Sequence, residues 1–207
     1  MLNKYSTIFW DFDGVILNSD KVRTEGFKYI FDSYSKKEID MLINYHTING
    51  GLSRYEKIEY FSQKILDKEL NDREKKQYAQ LYGSYCRDRL CSKNLLIQSS
   101  INFIKENHKN FNFHLVSASD EKELIYLCSN LDIKKYFKSI SGSPVNKIEN
   151  IKKLLKSNNY NESKCCLIGD SINDKLASIE NNISFFRFNN KQLIKDSEYI
   201  QTFKSLQ

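Results

Sequence analysis

The stretch Ile8-Phe9-Trp10-Asp11-Phe12-Asp13-Gly14-Val15-Ile16-Leu17-Asn18-Ser19-Asp20 decides how this chain is read. Its opening, Thr7-Ile8-Phe9-Trp10, reads as a strand buried on both faces, because consecutive apolar side chains leave no side for water. Asp11 and Asp13 follow two residues apart, and Gly14 comes next. In an extended chain, residues i and i+2 point the same way. Both acids are therefore expected to project from the carboxyl edge of a sheet, where open α/β sheets bind their ligands. Two carboxylates this close repel unless a cation or a shared proton relieves them.

Working outward, no strand pattern interrupts residues 18–88, and helical spacing predicts helices over 22–34, 36–45, 53–66 and 71–89. Asn71 and Glu74 have the spacing of an N-cap and its partner. Beyond that segment the pattern alternates. Helices are expected over 99–106, 120–130, 147–157 and 172–181. Strands are expected over 111–116, 138–141, 164–168 and 183–188, with a last short one near 199–201. Alternating strands and helices imply an α/β fold with a Rossmann-like, doubly wound parallel sheet. The first strand lies apart from the others, so the expected core is split into 1–17 and 89–207, with an inserted α-helical cap at 18–88.

Composition narrows the class. The 207 residues are 40% hydrophobic, enough for a real core, and the single Pro and seven Gly leave little for long linkers. The net charge of +6 comes from dispersed Lys rather than a basic block. That favours attraction to small anions and argues against nucleic acid as a partner. No apolar run approaches the ~20 residues a membrane span needs, and no signal peptide is expected. Five cysteines without paired C-x-x-C spacing fit buried free thiols in a reducing compartment, so a cytoplasmic monomer or homodimer is expected.

The chemistry-bearing residues fall at predicted strand or helix ends: Asp11 and Asp13, Ser117, Lys147, and Asp170 with Asp174. Read singly, they are caps and solvated first-turn residues. Attack of a carboxylate on phosphorus explains them together. Such a step needs a divalent cation, and Asp11, the main-chain carbonyl of Asp13, and Asp170 or Asp174 offer hard oxygens suited to Mg²⁺. Ser117, Lys147 and turn amides offer donors for the phosphoryl oxygens. Asp13, beside the nucleophile, is placed to protonate the leaving oxygen and then to activate water.

Asp11-Phe12-Asp13-Gly14-Val15, Val116-Ser117-Ala118-Ser119, Gly142-Ser143-Pro144-Val145-Asn146-Lys147 and Gly169-Asp170-Ser171-Ile172-Asn173-Asp174 resemble the four motifs of the haloacid dehalogenase superfamily, in that family's order. Within it, the chain resembles the phosphoglycolate phosphatase and β-phosphoglucomutase group, whose helical cap lies between the first two motifs. The resemblance implies that Asp11 is the nucleophile and Asp13 the general acid/base and main-chain metal ligand. It implies that Ser117 and Lys147, with the turns at Gly14 and Ala118, hold the phosphoryl group, and that Asp170 and Asp174 complete a Mg²⁺ site. Dehalogenases in this superfamily lack the second acid and P-type ATPases carry Thr there. The substrate expected is therefore a small phosphomonoester: a sugar, polyol, amino-alcohol or hydroxy-acid phosphate. A phosphomutase and a catalytically silent binding subunit are the rival readings.

Gly51-Leu52-Ser53-Arg54 resembles the cap loop of β-phosphoglucomutases, which implies that Arg54 meets the far end of the substrate. Gly50-Gly51 is expected to turn tightly through positive φ, and Ser53 to cap the next helix. Two departures favour simple hydrolysis: Gly50 stands where that group has a Lys, and Arg23 where it has a His.

Overall fold

In the computed structural model, which describes residues 2–190 and 198–203, strand β1 spans Thr7–Trp10 and is the hub of a six-stranded sheet. Its side chains split by the two-residue period of a strand. Phe9 joins Val116, Ile151, Leu167 and Ala177 on one face, while Ile8 and Trp10 join the larger cluster on the other. Trp10 is fully buried, its ring 5.6 Å from Phe113 and 5.4 Å from Phe203. Truncating so large a core side chain typically costs ~3–5 kcal/mol. Cys165 and Cys166 also separate onto opposite faces, and both are free.

The remaining strands are β2 (Asn112–Asp120), β3 (Ser139–Ser143), β4 (Cys165–Gly169), β5 (Ser184–Phe188) and β6 (Glu198–Ile200), in the order β3-β2-β1-β4-β5-β6 and all parallel. This is the Rossmann-like arrangement read from the sequence. The order reverses direction beside β1, and that switch point opens a crevice at the carboxyl edge. Met1, 191–197 and 204–207, parts of the expected core, lie outside the described residues.

Helices α1 (Asp20–Ile30), α2 (Lys36–Ile48), α3 (Arg54–Tyr60) and α4 (Asp72–Leu90) come between β1 and β2 and pack on one another around Phe27, Phe31, Ile58 and Phe61. Their entry and exit strands run side by side. Ile97 N–H donates to the Ile16 carbonyl at 2.9 Å, and Asn18 N–H to that of Leu95 at 2.8 Å. The helix expected over 53–66 is instead α3 followed by a π-helical turn, Phe61–Ile65. That wider turn carries Phe61 into the core 4.1 Å from the Phe31 ring. Ser35, Ser53 and Asn71 each form reciprocal caps with a Glu three residues on.

On the core side, α5 (Gln98–Asn107), α6 (Glu121–Asn130), α7 (Lys147–Ser157) and α8 (Ile172–Glu180) cover the sheet. Strand β2 runs past its expected end at 116 to Asp120, because an irregularity between Val116 and Asp120 lets the chain bend and still pair with β3. That bend turns Ser117 to Ser119 toward β1.

His114 on β2 is a buried polar node of this core. Its Nδ1 lies 2.7 Å from the Ser139 hydroxyl and its Nε2 3.0 Å from that of Tyr160. A neutral ring satisfies both hydroxyls, donating from one nitrogen and accepting at the other. Burial, and beyond it the Lys138 charge, push its pKa down to about 4, against ~6.5 in an unfolded chain. The stability it contributes is complete above pH ~6.5 and is lost as pH falls toward about 4. His114→Gln should therefore lose less melting temperature than wild type between pH ~7 and ~4.5. Parallel losses in the two thermal unfolding series would show that His114 is not the acid-sensitive group.

Candidate active site

Asp11 leaves β1 at its carboxyl end, its N–H fixed to the Ile168 carbonyl of β4 at 2.9 Å. Gly14 then turns the chain with φ +75°, and a Cβ there would fall 2.0 Å from Asp170 Oδ2. Only glycine tolerates that approach. Asp11, Asp13, Gly14, Ser117, Ala118, Asp170 and Arg54 line one cavity of ≈ 120 Å³ between the sheet edge and the helical module. Lys147 and Asp174 are buried behind Asp11 rather than lining the cavity. Lys147 Nζ donates to Asp11 Oδ1 at 2.8 Å and also to Asp174 Oδ1. All nine residues singled out in the sequence are thus brought together.

Lys147 opens α7 but is not the solvated first-turn residue that its position suggests, being 6% exposed. Burial opposes its charge, yet Asp11 and Asp174 outweigh that and hold its pKa above the usual lysine value. Burial, then repulsion from Asp174, raises the Asp11 carboxyl, with Lys147 pulling the other way. Burial and the charges of Asp11 and Asp174 raise Asp170 as well. One oxygen from each of Asp11, Asp170 and Asp174 lies within 4.8 Å of the others. A cluster of hard oxygens destabilised by its own crowding is the donor set a divalent cation suits.

Asp170 and Asp174 do not share a helix face. Asp170 ends in the turn after β4, and Asp174 lies inside α8, where its Oδ2 accepts from the N–H and hydroxyl of the N-cap Ser171. With Oδ1 on Lys147, Asp174 has both oxygens engaged. Asp11 and Asp170 keep the freer ones.

Asp13 has its own set of partners, although its charge also adds to the repulsion on Asp11 and Asp170. Ser19 Oγ donates to it at 2.5 Å, Ser119 Oγ at 2.6 Å, and Arg23 Nε at 3.1 Å. Burial alone would raise its pKa, but Arg23 and the two hydroxyls pull it down to about 2. The cap of α6 is Asp120, which accepts from Glu123 N–H at 3.1 Å, leaving the Ser119 hydroxyl to Asp13.

Arg54, expected at the far end of the substrate, lines the cavity and is paired there with a carboxylate. Its Nη2 lies 2.7 Å from Glu123 Oε2, and its guanidinium sits 5.0 Å over the Tyr82 ring. Neither Gly50 nor Gly51 has positive φ. Gly51 is required for closeness, since a Cβ there would meet Ser171 Oγ and Asn173 Cβ at 2.6 Å. The loop therefore presses directly on the start of α8.

Glu123 was not found from the sequence. Asp120-x-x-Glu123 has the spacing of a cap and its partner, which conceals a side chain aimed the other way. Glu123 accepts from Arg23 Nη1 at 2.5 Å and pairs with Arg54, so one core carboxylate binds two arginines of the helical module. All three side chains are 4–6% exposed. Removing one partner from a buried ion network strands the others in low dielectric. Glu123→Ala is therefore expected to cost ~3–5 kcal/mol in denaturant unfolding. A cost below ~1 kcal/mol, the value of an exposed pair, would mean that water reaches the arginines.

Comparison with known proteins agrees with this architecture. No curated protein matches the sequence. Similar solved structures include β-phosphoglucomutase from Clostridium difficile, 18% identical with a TM-score of 0.79, covering 98% of this chain and 93% of that one. A protein from Haemophilus somnus described as a predicted phosphoglycolate phosphatase is 16% identical, with a TM-score of 0.74 and coverages of 98% and 96%. YfnB from Bacillus subtilis, solved bound to magnesium, is 14% identical, with a TM-score of 0.71 and coverages of 98% and 96%. At such identities these likenesses establish the fold. The model of the haloacid dehalogenase-like hydrolases matches residues 8–188, nearly the whole described chain, and the chain belongs to that family.

Proposed function

We propose that this hydrolase is a Mg²⁺-dependent phosphatase that cleaves small phosphomonoesters through an aspartyl-phosphate on Asp11. The observation that carries the reading is the buried Asp11 carboxylate, held by Lys147 at 2.8 Å, with a second acid, Asp13, under separate electrostatic control. Asp11, Asp170 and the main-chain carbonyl of Asp13 would hold the metal, with Asp174 completing the acidic wall through Lys147. Bound there, Mg²⁺ supplies the counter-charge that lets a carboxylate approach an anionic phosphoryl group.

Asp11 attacks phosphorus and the bond to the ester oxygen breaks. Ser117, Lys147 and the amides at Gly14 and Ala118 receive the phosphoryl oxygens. Asp13 gives its proton to the leaving oxygen, then takes one from the water that attacks the phosphoenzyme and frees Asp11. Clamped by Arg23, Asp13 is ionised, which is the form the second half-reaction needs. The first half-reaction requires proton uptake with that clamp relaxed.

In this reading residues 18–88 act as a cap that excludes bulk water from a core formed by 1–17 and 89–207. The small cavity favours metabolite-sized substrates over macromolecules or nucleic acid. Five free thiols support a cytoplasmic location, and no described helix is long and apolar enough to cross a membrane. A monomer or homodimer suffices, since one chain supplies every site residue. A phosphomutase is the second reading, favoured by the likeness to β-phosphoglucomutase. Arg23 and Gly50, in place of that group's His and Lys, weigh against it.

Phosphate release over a panel of small phosphomonoesters, with Mg²⁺ and with excess chelator, tests the proposal. Release should require the metal, and Asp11→Asn should lose at least ~100-fold in kcat, about 2.7 kcal/mol of barrier at ~1.36 kcal/mol per decade. Asp11→Asn retaining more than a hundredth of the activity would overturn covalent catalysis. Isomerised product without free phosphate would establish the mutase.

A further inference from the structure

Lys57, on α3 one turn after Arg54, is 3% exposed, and no carboxylate pairs with it among the described residues. Its Nζ donates to the Gly50 carbonyl at 3.2 Å and stands 6.0 Å from the Phe27 ring centre. One carbonyl satisfies one of three ammonium protons. Beside it, His46 of α2 is 6% exposed, and neither ring nitrogen has a hydrogen-bond partner. Both residues line the cavity whose floor holds Asp11 and Asp13.

A merely structural role does not account for this pair. A buried ammonium without a counter-ion, and a buried imidazole without partners, each cost stability that an apolar residue would not. The neighbouring acids relieve Lys57 only in part: Asp13, Glu56 and Asp20 favour its charge at a distance, but burial foremost, with Arg23, pulls its pKa down to about 8. Arg23 already shares Asp13 and Glu123, and Arg54 draws on Glu123 too. The cap side of the cavity therefore sets three cations, Arg23, Arg54 and Lys57, against those two carboxylates. Of the other acids near Lys57, Asp20 is at the exposed rim, and Glu56 is held by Ser53, accepting from its N–H at 2.8 Å and its hydroxyl at 2.7 Å. Burial foremost, then the Lys57 charge, pushes His46 down to about 3, so its ring is neutral and offers one N–H and one lone pair.

We propose that Lys57 and His46 form a subsite for an acidic group, a carboxylate or a second phosphate, at the far end of the substrate, making the substrate a short acidic phosphomonoester. That substrate class rests on the phosphatase reading, whereas anion binding at the subsite does not. Lys57 supplies the charge and His46 the oriented N–H, while Arg54, spent on Glu123, holds α3 in place.

The test is a series that differs only in the far group: phosphoglycolate, glycol bisphosphate, glycol monophosphate and phosphoethanolamine. Wild-type kcat/KM should be at least ~10-fold higher for the two acidic members than for glycol monophosphate, the scale of a charge-assisted hydrogen bond. Phosphoethanolamine should be the poorest. Lys57→Met should bring that ratio to within about twofold, Lys57→Arg should retain most of it, and His46→Phe should lower it. The order of the two acidic members identifies which anion the subsite takes. The same ratio is read as Kd by calorimetry on the Asp11→Asn protein. Binding preference without turnover of any member, or of p-nitrophenyl phosphate, would overturn the phosphatase reading and leave the subsite standing. Equal kcat/KM and Kd across the series, or a preference untouched by Lys57→Met, would overturn the subsite.

Discussion

A single buried ammonium makes the acidic edge of this sheet possible. Asp11 and Asp170, at the ends of neighbouring strands, converge with Asp174 of α8, and burial and repulsion work against the ionisation of Asp11 and Asp170. Lys147, delivered by the start of α7, donates to both Asp11 and Asp174. Parts of the chain distant in sequence therefore meet in one node, whose single positive charge offsets only part of the acidic cluster. Without it, the carboxylates would take up protons or spread apart, and Asp11 would lose the ionised form a nucleophile requires.

A second node ties the helical module to this edge. Glu123 grips Arg23 and Arg54, while Arg23 reaches on to Asp13. The same guanidinium that fastens the module over the site also keeps Asp13 ionised. In the proposed cap role, moving α1 away would release Asp13 from Arg23 and let its pKa rise. Asp11 answers to Lys147 and Asp13 to Arg23, so two acids two residues apart titrate in different ranges. Such separation is what paired acid and nucleophile roles need.

The sheet and the acidic cluster were legible because they obey short-range rules. The all-apolar run before Asp11, the alternation of strand and helix after residue 98, and the turn residues at Gly14 and Gly169 each constrain the local backbone directly. What escaped was chosen by tertiary contact. Ser119 gave no sign of meeting Asp13, because nothing local announces the strand bend that swings it there. Glu123 looked like the partner of Asp120 because the spacing is right, and only packing reveals that its carboxylate faces the arginines. Arg54 was legible as a residue of the cavity, but its pairing was not, since periodicity places Glu123 on a helix without showing which side chain of another helix it meets. The π-turn at Phe61–Ile65 is set by the fit of Phe61 against Phe31, which helical periodicity does not record.

Everything argued for the chemistry depends on Asp11 becoming covalently attached to phosphorus. The most direct measurement is rapid quenching of the enzyme during turnover, hydride reduction of any acyl phosphate, and mass spectrometry of the peptide carrying residues 5–21. Homoserine at position 11, formed only when substrate is present, is the predicted result. Full turnover with Asp11 unmodified, or the modification at Asp13 or Asp170 instead, would contradict it.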